Sequence, residues 1–515
     1  MLTPGLHDAD AITDGIVRHL RSLIRPDGSI ACQVRSRVLE SALAFRLLEL
    51  EETAPDQRER TRDFLACAAA EPGLSALDRT LTSALMGAPN SNSDDSEPLT
   101  EFRHHTASRK RVLVETVLHL VCGRSPSARR ADEFAVADTH SWKVLEMLAC
   151  RGIQALATGN ETLRLREPEY DSLARAIDSQ EVYDRNVLSH LLFVFALRCQ
   201  AGYRRQVMRG IDALLRTQAR DGGFRIATEL DLCGAAECGL ALTEAGQHDE
   251  GRRIADWLAY HQAPDGGWGF AVGTRQTDTD STATCLRLFQ LSVRQPHSAA
   301  VQRGVRYLLA MRNQDGGFPT YVHGNPSEPT PTGTALCVLA HGGDVRPGLP
   351  DLFDEAVRYL ADSQRDDGTF GQNWNLSEAC SLFRVFEGLC AALTRARIPA
   401  EAVRAAQRIL QRGTDHLLAT QNSDGGWGWG SGRQSDATST GFALAALGSA
   451  AQHIHVARAP LDSGLVYLTL AQAPDGTFRS PSHELIPRPI PADVPALTHA
   501  RILRGVTLVG AQGRR

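Results

Sequence analysis

A short pattern of a glutamine, an Asp-Gly pair and an aromatic residue recurs along the chain and constrains its fold more than any other feature. The pattern reads Gln-x-x-Asp-Gly-(Gly/Thr)-(Phe/Trp), and its copies stand roughly 45 to 57 residues apart, which is room for two helices and their turns. Each copy follows an amphipathic stretch and precedes an apolar one. The copies begin at Gln218, Gln262, Gln364, Gln421 and Gln472, and a degenerate copy runs from Arg312 to Phe318.

Each residue of the pattern has a physical task in a turn between helices. Glycine after aspartate allows positive φ and ends a helix, while the aspartate accepts hydrogen bonds from nearby backbone N–H groups. The glutamine amide can bridge to the next helix, and the aromatic ring fills the gap between neighbouring helix pairs. Few segments show strand periodicity. The sequence therefore predicts an all-α protein whose helix pairs stack side by side and close into a double ring.

The repeats resemble the QW motifs of the squalene–hopene cyclase and protein prenyltransferase superfamily. The segment Asp278-Thr-Asp-Ser-Thr282 resembles the DxDD acid box of class II terpene cyclases, with Ser281 where the third aspartate stands. Residues 321–327 and 373–377 resemble landmarks of bacterial class II diterpene cyclases of the copalyl and halimadienyl diphosphate synthase type. The resemblance is good over residues 200–515 and weak before them.

The resemblance implies two α/α-barrel domains, the βγ pair of class II terpene cyclases. We expect residues 1–25 and 200–515 to form the β domain, which carries the acid box, and residues 26–199 to form the inserted γ domain. The length of 515 residues is consistent with two domains. No room remains for a third helical domain.

The resemblance assigns Asp280 as the proton donor and Asp278 as its supporting carboxyl. Protonating an unactivated alkene requires a carboxylic acid that is neutral before the reaction, and burial favours the neutral form. Two interacting carboxyls titrate as a pair. The alternative is structural: Asp278 and Ser281 cap the helix that begins near Thr282, as short polar residues commonly do.

The carbocation that follows protonation needs aromatic faces around it. Tyr321 and Trp374 are the favoured candidates because they lie in the two landmark segments. Further candidates are Trp268, Phe270 and Trp429, and every one of these rings could instead serve core packing. The final proton loss needs a base or a bound water, for which His323 and Asn325 are candidates, with a solvated loop as the alternative.

A class II cyclase retains the substrate diphosphate, so the resemblance implies Mg²⁺ or cationic side chains that hold it. Asp94, Asp95 and Glu97 form an acidic cluster that could bind Mg²⁺ in the inserted domain, although such a loop is commonly just solvated. Lys143 could contact a diphosphate oxygen. The Asp-Asp-x-x-Asp motif of class I ionisation does not occur in a helical context, which argues against a bifunctional enzyme.

Two other functions stay open at this point. A zinc-dependent protein prenyltransferase β-like subunit would use Asp231, Cys233 and His297 as ligands, and a helical-repeat scaffold would have no chemistry. The favoured function is cyclisation of geranylgeranyl diphosphate to a bicyclic diphosphate of the copalyl or halimadienyl type. Farnesyl diphosphate is the alternative substrate. A class I synthase or a phosphatase could then consume the product.

Composition restricts partners and location. The net charge of −5 indicates no nucleic-acid partner. Eleven scattered cysteines without a CxxC pair favour reduced thiols in the cytoplasm. We expect no signal peptide and no transmembrane segment, because no basic leader and no apolar run of that length occur. The sequence leaves the oligomeric state open.

Overall fold

The computed structural model describes residues 4–71, 74–87, 104–136, 141–292, 298–342, 349–396 and 398–512. Its regular structure is α-helical apart from short 3₁₀ turns and two strands of two residues each. The helices of the first part are α1 (Pro4–Ser22), α2 (Val38–Leu50), α3 (Pro55–Ala69), α4 (Ala76–Met86), α5 (Ala107–Cys122), α6 (Ser141–Thr158), α7 (Glu167–Ala176), α8 (Val187–Arg198) and α9 (Arg204–Leu215).

The later part of the described chain repeats outer and inner helices in alternation. The predicted all-α fold is confirmed. The elements are α10 (Asp231–Glu244), α11 (His248–Tyr260), α12 (Thr279–Ser292), α13 (Ser298–Met311), α14 (Pro329–His341), α15 (Leu349–Ser363), α16 (Glu378–Arg395), α17 (Ala400–Ala419), α18 (Ala437–Ala450), α19 (Arg458–Ala471), β1 (Glu484–Leu485), β2 (Pro491–Ala492) and α20 (Pro495–Gln512).

The chain divides into two compact units. Unit one comprises residues 1–33, 230–485 and 493–515, and unit two comprises residues 34–229 and 486–492. The division falls at residue 230, whereas the sequence analysis placed it at residue 200. The reason is local: α9 packs on α8, and the Gln218 amide of the following turn donates to the Gln57 carbonyl in unit two (2.9 Å).

Unit one is a ring of six inner helices inside a ring of outer helices. The inner helices α10, α12, α14, α16, α18 and α20 each contact the next, and α20 returns to α10. Helix α1 lies against α19 and α20, and the other outer helices pack on the inner helices beside them. Every residue of α18 is buried, as expected of a helix with neighbours on all sides.

The repeat turns join these helices by one geometry. Gln262 Nε2 donates to the Gly266 carbonyl (2.7 Å) and to the Ala300 carbonyl of α13 (2.9 Å). Asp265 Oδ1 accepts from Gly267 N (2.9 Å). Gly266 has φ of +91°, and a Cβ there would stand 2.7 Å from the Arg303 carbonyl oxygen. Only glycine fits this closely approached turn, and the Gln364 and Gln421 turns repeat its hydrogen bonds.

Unit two is also helical and closes on itself. Helices α2, α4, α5, α6 and α8 contact in sequence, and α8 returns to α2. In the described residues of both units, no helix is long and apolar enough to cross a membrane. All eleven cysteines are free thiols.

Candidate active site

The acid box lies where a repeat turn enters inner helix α12. Asp278 N donates to the Trp268 carbonyl (3.0 Å), and Trp268 N donates to Thr282 Oγ1 (2.9 Å). These two bonds tie the turn to the first turn of the helix. These bonds therefore fix the backbone that carries the carboxyl side chains of Asp278 and Asp280.

Asp278 caps α12. It is buried, its Oδ1 accepts from Ser281 N (2.6 Å), and its Oδ2 accepts from the Ser281 hydroxyl (2.9 Å). Burial raises the pKa of Asp278 to about 6, against the hydrogen bonds from Ser281, which lower it. Asp278 and Ser281 therefore form a helix cap, which is the structural alternative considered in the sequence analysis. Asp278 supports Asp280 by holding the helix turn that carries it.

Asp280 stands in the first turn of α12 and is half-buried. Its Oδ1 is 3.4 Å from the hydroxyl of Thr334, which donates to it from the neighbouring inner helix α14. The amino end of a helix favours a negative charge, so a negative charge on the Asp280 carboxyl is stabilised at this position. Thr334 belongs to no sequence motif, so the sequence analysis did not predict its contact with Asp280.

The favoured aromatic pair lies beside the acid box. Thr279 N donates to the Thr320 carbonyl (2.8 Å), which brings the segment before Tyr321 against the start of α12. Tyr321 and Trp374 meet edge to face with centroids 5.5 Å apart and an interplanar angle of 85°. Both rings are half-buried. The two landmark segments of the sequence therefore come together in unit one.

Trp268 has a different environment. Its side chain is fully buried, its indole N–H donates to the Leu258 carbonyl (2.8 Å), and its ring packs edge on Phe289. Trp427 makes the same indole bond to the Leu417 carbonyl (2.7 Å). The same indole hydrogen bond in two repeats indicates that these rings pack the helices together. The structure therefore favours a packing role for Trp268 over the predicted substrate contact.

The remaining loop and aromatic candidates lie at turns. His323 is exposed, and the Asn325 carbonyl accepts from Asn313 Nδ2 (2.8 Å), which braces that turn. Trp429 is half-buried under the Arg433 guanidinium (4.4 Å). Phe270 is half-buried, and its carbonyl accepts from Cys233 N (3.3 Å).

Lys143 belongs to a buried cationic cluster in unit two. It donates to Glu146 and lies 4.3 Å from the Trp142 ring centroid. Burial, and next the Lys143 charge, lower the pKa of Lys110 well below its usual value, and burial lowers that of Arg109. Burial raises the pKa of Glu146, but the Lys143 and Lys110 charges outweigh it and leave that pKa below its usual value. Three basic side chains near one carboxylate can supply more positive charge than that carboxylate neutralises, which suits an anion.

The predicted metal ligands Asp94, Asp95 and Glu97 lie outside the described residues, as does His297 of the zinc alternative. Within the described ranges, no group of three or more His, Cys, Asp or Glu side chains is placed to hold a metal ion. Asp231 Oδ1 accepts from Val272 N (2.9 Å), and the Cys233 thiol donates to the Leu230 carbonyl (3.7 Å). Both side chains bind backbone groups of their own unit.

Comparison with known proteins agrees with this geometry. The squalene-hopene cyclase C-terminal domain family matches residues 125–329, and the prenyltransferase alpha-alpha toroid domain family matches residues 401–486. A drimenyl diphosphate synthase of Streptantibioticus cattleyicolor is 34% identical over 507 residues, covering 96% of this chain and 93% of the relative. A second, from Streptomyces showdoensis, is 34% identical over 95% of this chain and 92% of its own.

A solved structure of an ent-copalyl diphosphate synthase from Streptomyces platensis shares the fold. Its TM-score is 0.58 at 17% identity, over 99% of this chain and all of the other. The full-length relatives and the ring of unit one together define the class. The chain belongs to the class II terpene cyclases, and it is an enzyme of that type.

Proposed function

We propose that the protein cyclises farnesyl diphosphate to a bicyclic drimenyl-type diphosphate and retains the diphosphate. The two relatives that match nearly the whole chain are drimenyl diphosphate synthases, which supports the shorter substrate over the geranylgeranyl diphosphate favoured from sequence. The ent-copalyl diphosphate synthase likeness concerns the fold only. Geranylgeranyl diphosphate stays the second candidate substrate, on the landmark segments around Tyr321 and Trp374.

One observation carries the proposal: the Asp280 carboxyl at the start of α12. Asp280 gives its proton to the terminal alkene, so that a C–H bond forms and a tertiary cation begins the cascade. The helix amino terminus and the Thr334 hydroxyl then stabilise the carboxylate. Asp278 holds the helix turn through Ser281 and does not touch the alkene.

The cation requires a surface that stabilises it without reacting. Tyr321 and Trp374 supply two aromatic faces next to the acid box. Their edge-to-face contact fixes both rings, so neither has to reorganise when charge develops. We assign them to cation stabilisation. Alkene π bonds within the substrate close the two rings.

The diphosphate needs positive charge. We propose that Lys143, Lys110 and Arg109 of unit two bind it, since they surround a single carboxylate, Glu146. Mg²⁺ at the acidic run that contains Asp94 stays a prediction.

Product analysis tests the proposal directly. The purified enzyme is incubated with farnesyl or geranylgeranyl diphosphate and Mg²⁺, treated with phosphatase, and its extract analysed by gas chromatography and mass spectrometry. We expect a bicyclic sesquiterpene alcohol from farnesyl diphosphate at a higher kcat/KM than any diterpene product. A preference for geranylgeranyl diphosphate would reverse the substrate assignment. Stoichiometric zinc with protein prenylation, or no turnover of either substrate, would contradict the cyclase function.

The diphosphate assignment has its own test. Lys143→Gln should raise KM about tenfold or more with a smaller change in kcat, because a charge-assisted hydrogen bond contributes about 1.5–3 kcal/mol. Arg205→Gln, at an exposed arginine of unit two, is the matched control. Equal KM values for Lys143→Gln and wild type would remove Lys143 from the diphosphate site.

A further inference from the structure

A second carboxyl and a histidine meet in unit one on the far side of the aromatic pair from the acid box. His483 Nε2 lies 2.9 Å from Asp436 Oδ1, and both side chains are buried, at 3% and 6% exposure. Asp436 caps α18: its Oδ1 accepts from Ser439 N (2.8 Å) and from the Ser480 hydroxyl (3.1 Å). Two donors besides the imidazole thus hold this carboxylate in place.

The contact fixes the tautomer of His483. Nε2 is not aligned for a hydrogen bond with Asp436, but a nitrogen lone pair 2.9 Å from a carboxylate oxygen would be repelled, so in the neutral imidazole the hydrogen is on Nε2. The lone pair is then on Nδ1. Burial raises the pKa of Asp436, but the contact with His483 and the donors on Ser439 outweigh it and keep that pKa low.

Both ring nitrogens of His483 are buried and make no hydrogen bond among the described residues; Nε2 has the charge contact with Asp436, and Nδ1 takes no part in that contact. The buried histidines with structural roles differ in this respect. His499 accepts from Phe478 N at Nε2 (3.0 Å) and contacts the Pro495 carbonyl at Nδ1 (2.6 Å). His190 contacts the Gly210 carbonyl (2.9 Å) and accepts from Tyr183 N (3.3 Å). Buried polar atoms are normally hydrogen-bonded, so an unpaired Nδ1 indicates a partner that is not part of the protein, such as the substrate.

Repeat symmetry places this pair at the same end of the ring as the acid box. Asp436 N donates to the Trp427 carbonyl (3.0 Å), as Asp278 N does to the Trp268 carbonyl (3.0 Å). The inner helices that follow these turns enter the ring in the same direction. Asp436 is therefore the counterpart of Asp278, three inner helices further around the ring.

The backbone connects the pair to the aromatic rings. Leu376 N donates to the His483 carbonyl (2.8 Å), and Leu485 N donates to the Trp374 carbonyl (2.8 Å). His483 is thus on the segment that backs Trp374, whose ring meets Tyr321 beside the start of α12. Acid box, aromatic pair and histidine follow one another along a single rim of unit one.

We propose that His483 is the base that ends the cyclisation, through Nδ1, and that Asp436 is the residue that positions it; this rests on the proposed cyclase function. A C–H bond next to the last cationic carbon breaks, its electron pair becomes the product double bond, and the proton forms an N–H bond on Nδ1. Nothing is oxidised or reduced. The imidazolium next to Asp436 forms a buried ion pair and later loses its proton to solvent, while Asp280 regains one.

The test compares His483→Gln and Asp436→Asn with wild type, using farnesyl diphosphate and the same product analysis. We expect His483→Gln to lower kcat by 10² or more, with KM within about threefold, and to yield water-trapped alcohols or other double-bond isomers. Asp436→Asn keeps a cap acceptor for α18 but loses the charge, so it should shift the product ratio in the same direction with a smaller loss of kcat. His190→Gln, a buried histidine in unit two, is the control for folding and should keep the wild-type product.

A wild-type product spectrum with kcat within threefold from folded His483→Gln would overturn the proposal while leaving the cyclase function intact. Should His483→Gln fail to fold, Asp436→Asn carries the test, and an unchanged product ratio from it would overturn the proposal. Failure of the cyclase function itself is distinguishable, because wild type would then give no cyclic product.

Discussion

Two cap segments of unit one, 278–282 and 436–440, share a scaffold and differ in their charged groups. In each, the aspartate carboxylate accepts from the backbone N–H of the serine three residues later. In each, the backbone N–H of the preceding tryptophan donates to a threonine hydroxyl. Thr438 occupies in the second the position that Asp280 occupies in the first, and Thr330 occupies it in the first of the two repeats between them. The proposed proton donor, Asp280, is therefore one carboxyl added to a structural cap.

The two caps also have opposite electrostatics. Asp278 is buried with hydrogen-bond donors, and its pKa is raised to about 6. Asp436 is buried against His483, and its pKa is lowered. Burial alone would raise both, so the neighbouring imidazole accounts for the difference. One position of the repeat can thus hold a proton near neutral pH, and the same position elsewhere can hold a negative charge.

The largest expected effect comes from making the two segments alike. Asp280→Thr gives the acid box the residue found at Thr330 and Thr438, and should lower kcat by at least 10³ with the melting temperature nearly unchanged, because the cap bonds do not use Asp280. Steady-state kinetics and a thermal melt check this. Asp367→Asn, at a repeat-turn carboxyl that binds Thr369, should keep activity. Substantial turnover by Asp280→Thr would remove Asp280 as the acid.

The second effect is a pH dependence of opposite sign at the two caps. The raised pKa of Asp278 means that its proton stabilises the fold below about pH 4 and that this stabilisation is lost as pH rises through about 6. The free energy of unfolding of Asp278→Asn should therefore gain on wild type by up to about 3 kcal/mol between pH 4 and pH 8. Denaturant midpoints across that range measure the gain.

Asp436 should behave in the reverse way. Its lowered pKa means that its charge stabilises the fold above about pH 4 and that this contribution is lost as pH falls through the folded value. Asp436→Asn should lose stability relative to wild type as pH rises from 3 to 6. Parallel pH curves for the two asparagine variants would show that the caps do not differ as described.

The third effect concerns what the two segments share. Trp268→Phe and Trp427→Phe each remove an indole hydrogen bond to a buried carbonyl, and each should cost about 1–3 kcal/mol of unfolding free energy. Calorimetry on both variants tests whether the costs agree. Activity per folded molecule should fall more for Trp268→Phe, because its turn carries the proposed acid, Asp280.

The smallest effect is at Thr334. Its hydroxyl reaches Asp280 Oδ1 at 3.4 Å, a long and weak contact, so Thr334→Val should lower kcat less than tenfold. Initial rates at saturating substrate measure it, with Thr394→Val, remote on α16, as control. A loss as large as that of Asp280→Thr would mean that Thr334 takes part in the proton transfer.

Sequence reasoning predicted the repeated parts of the molecule well. The Gln, Asp and Gly tasks in the turns all appear in the structure, because each depends on residues within one turn and the helix beside it. Even the degraded turn at Asp27 keeps the bond from Ser29 N (2.9 Å). The start of α12 at the acid box followed from the same local rules.

The features that the sequence did not predict depend on contacts between residues far apart in the chain, which motif spacing does not reveal. His483 stands outside any repeat turn and meets Asp436 only after the ring closes. Residues 200–229 follow the repeat pattern yet join unit two, because the Gln218 amide finds its partner in Gln57. Comparing residues 278–282 with 436–440 would have identified Asp436 from sequence, but nothing comparable identifies His483.

The closure of unit one has a consequence for synthesis of the chain. Helix α1 buries Ile12, Ile16 and Leu20, and its partners α19 and α20 are made only after unit two and most of unit one. Unit two is almost continuous in sequence, so it can fold while α1 waits with its apolar face unburied. Helix α1 therefore docks long after it is made, and nascent chains stalled before α19 should expose it to chaperones and proteases.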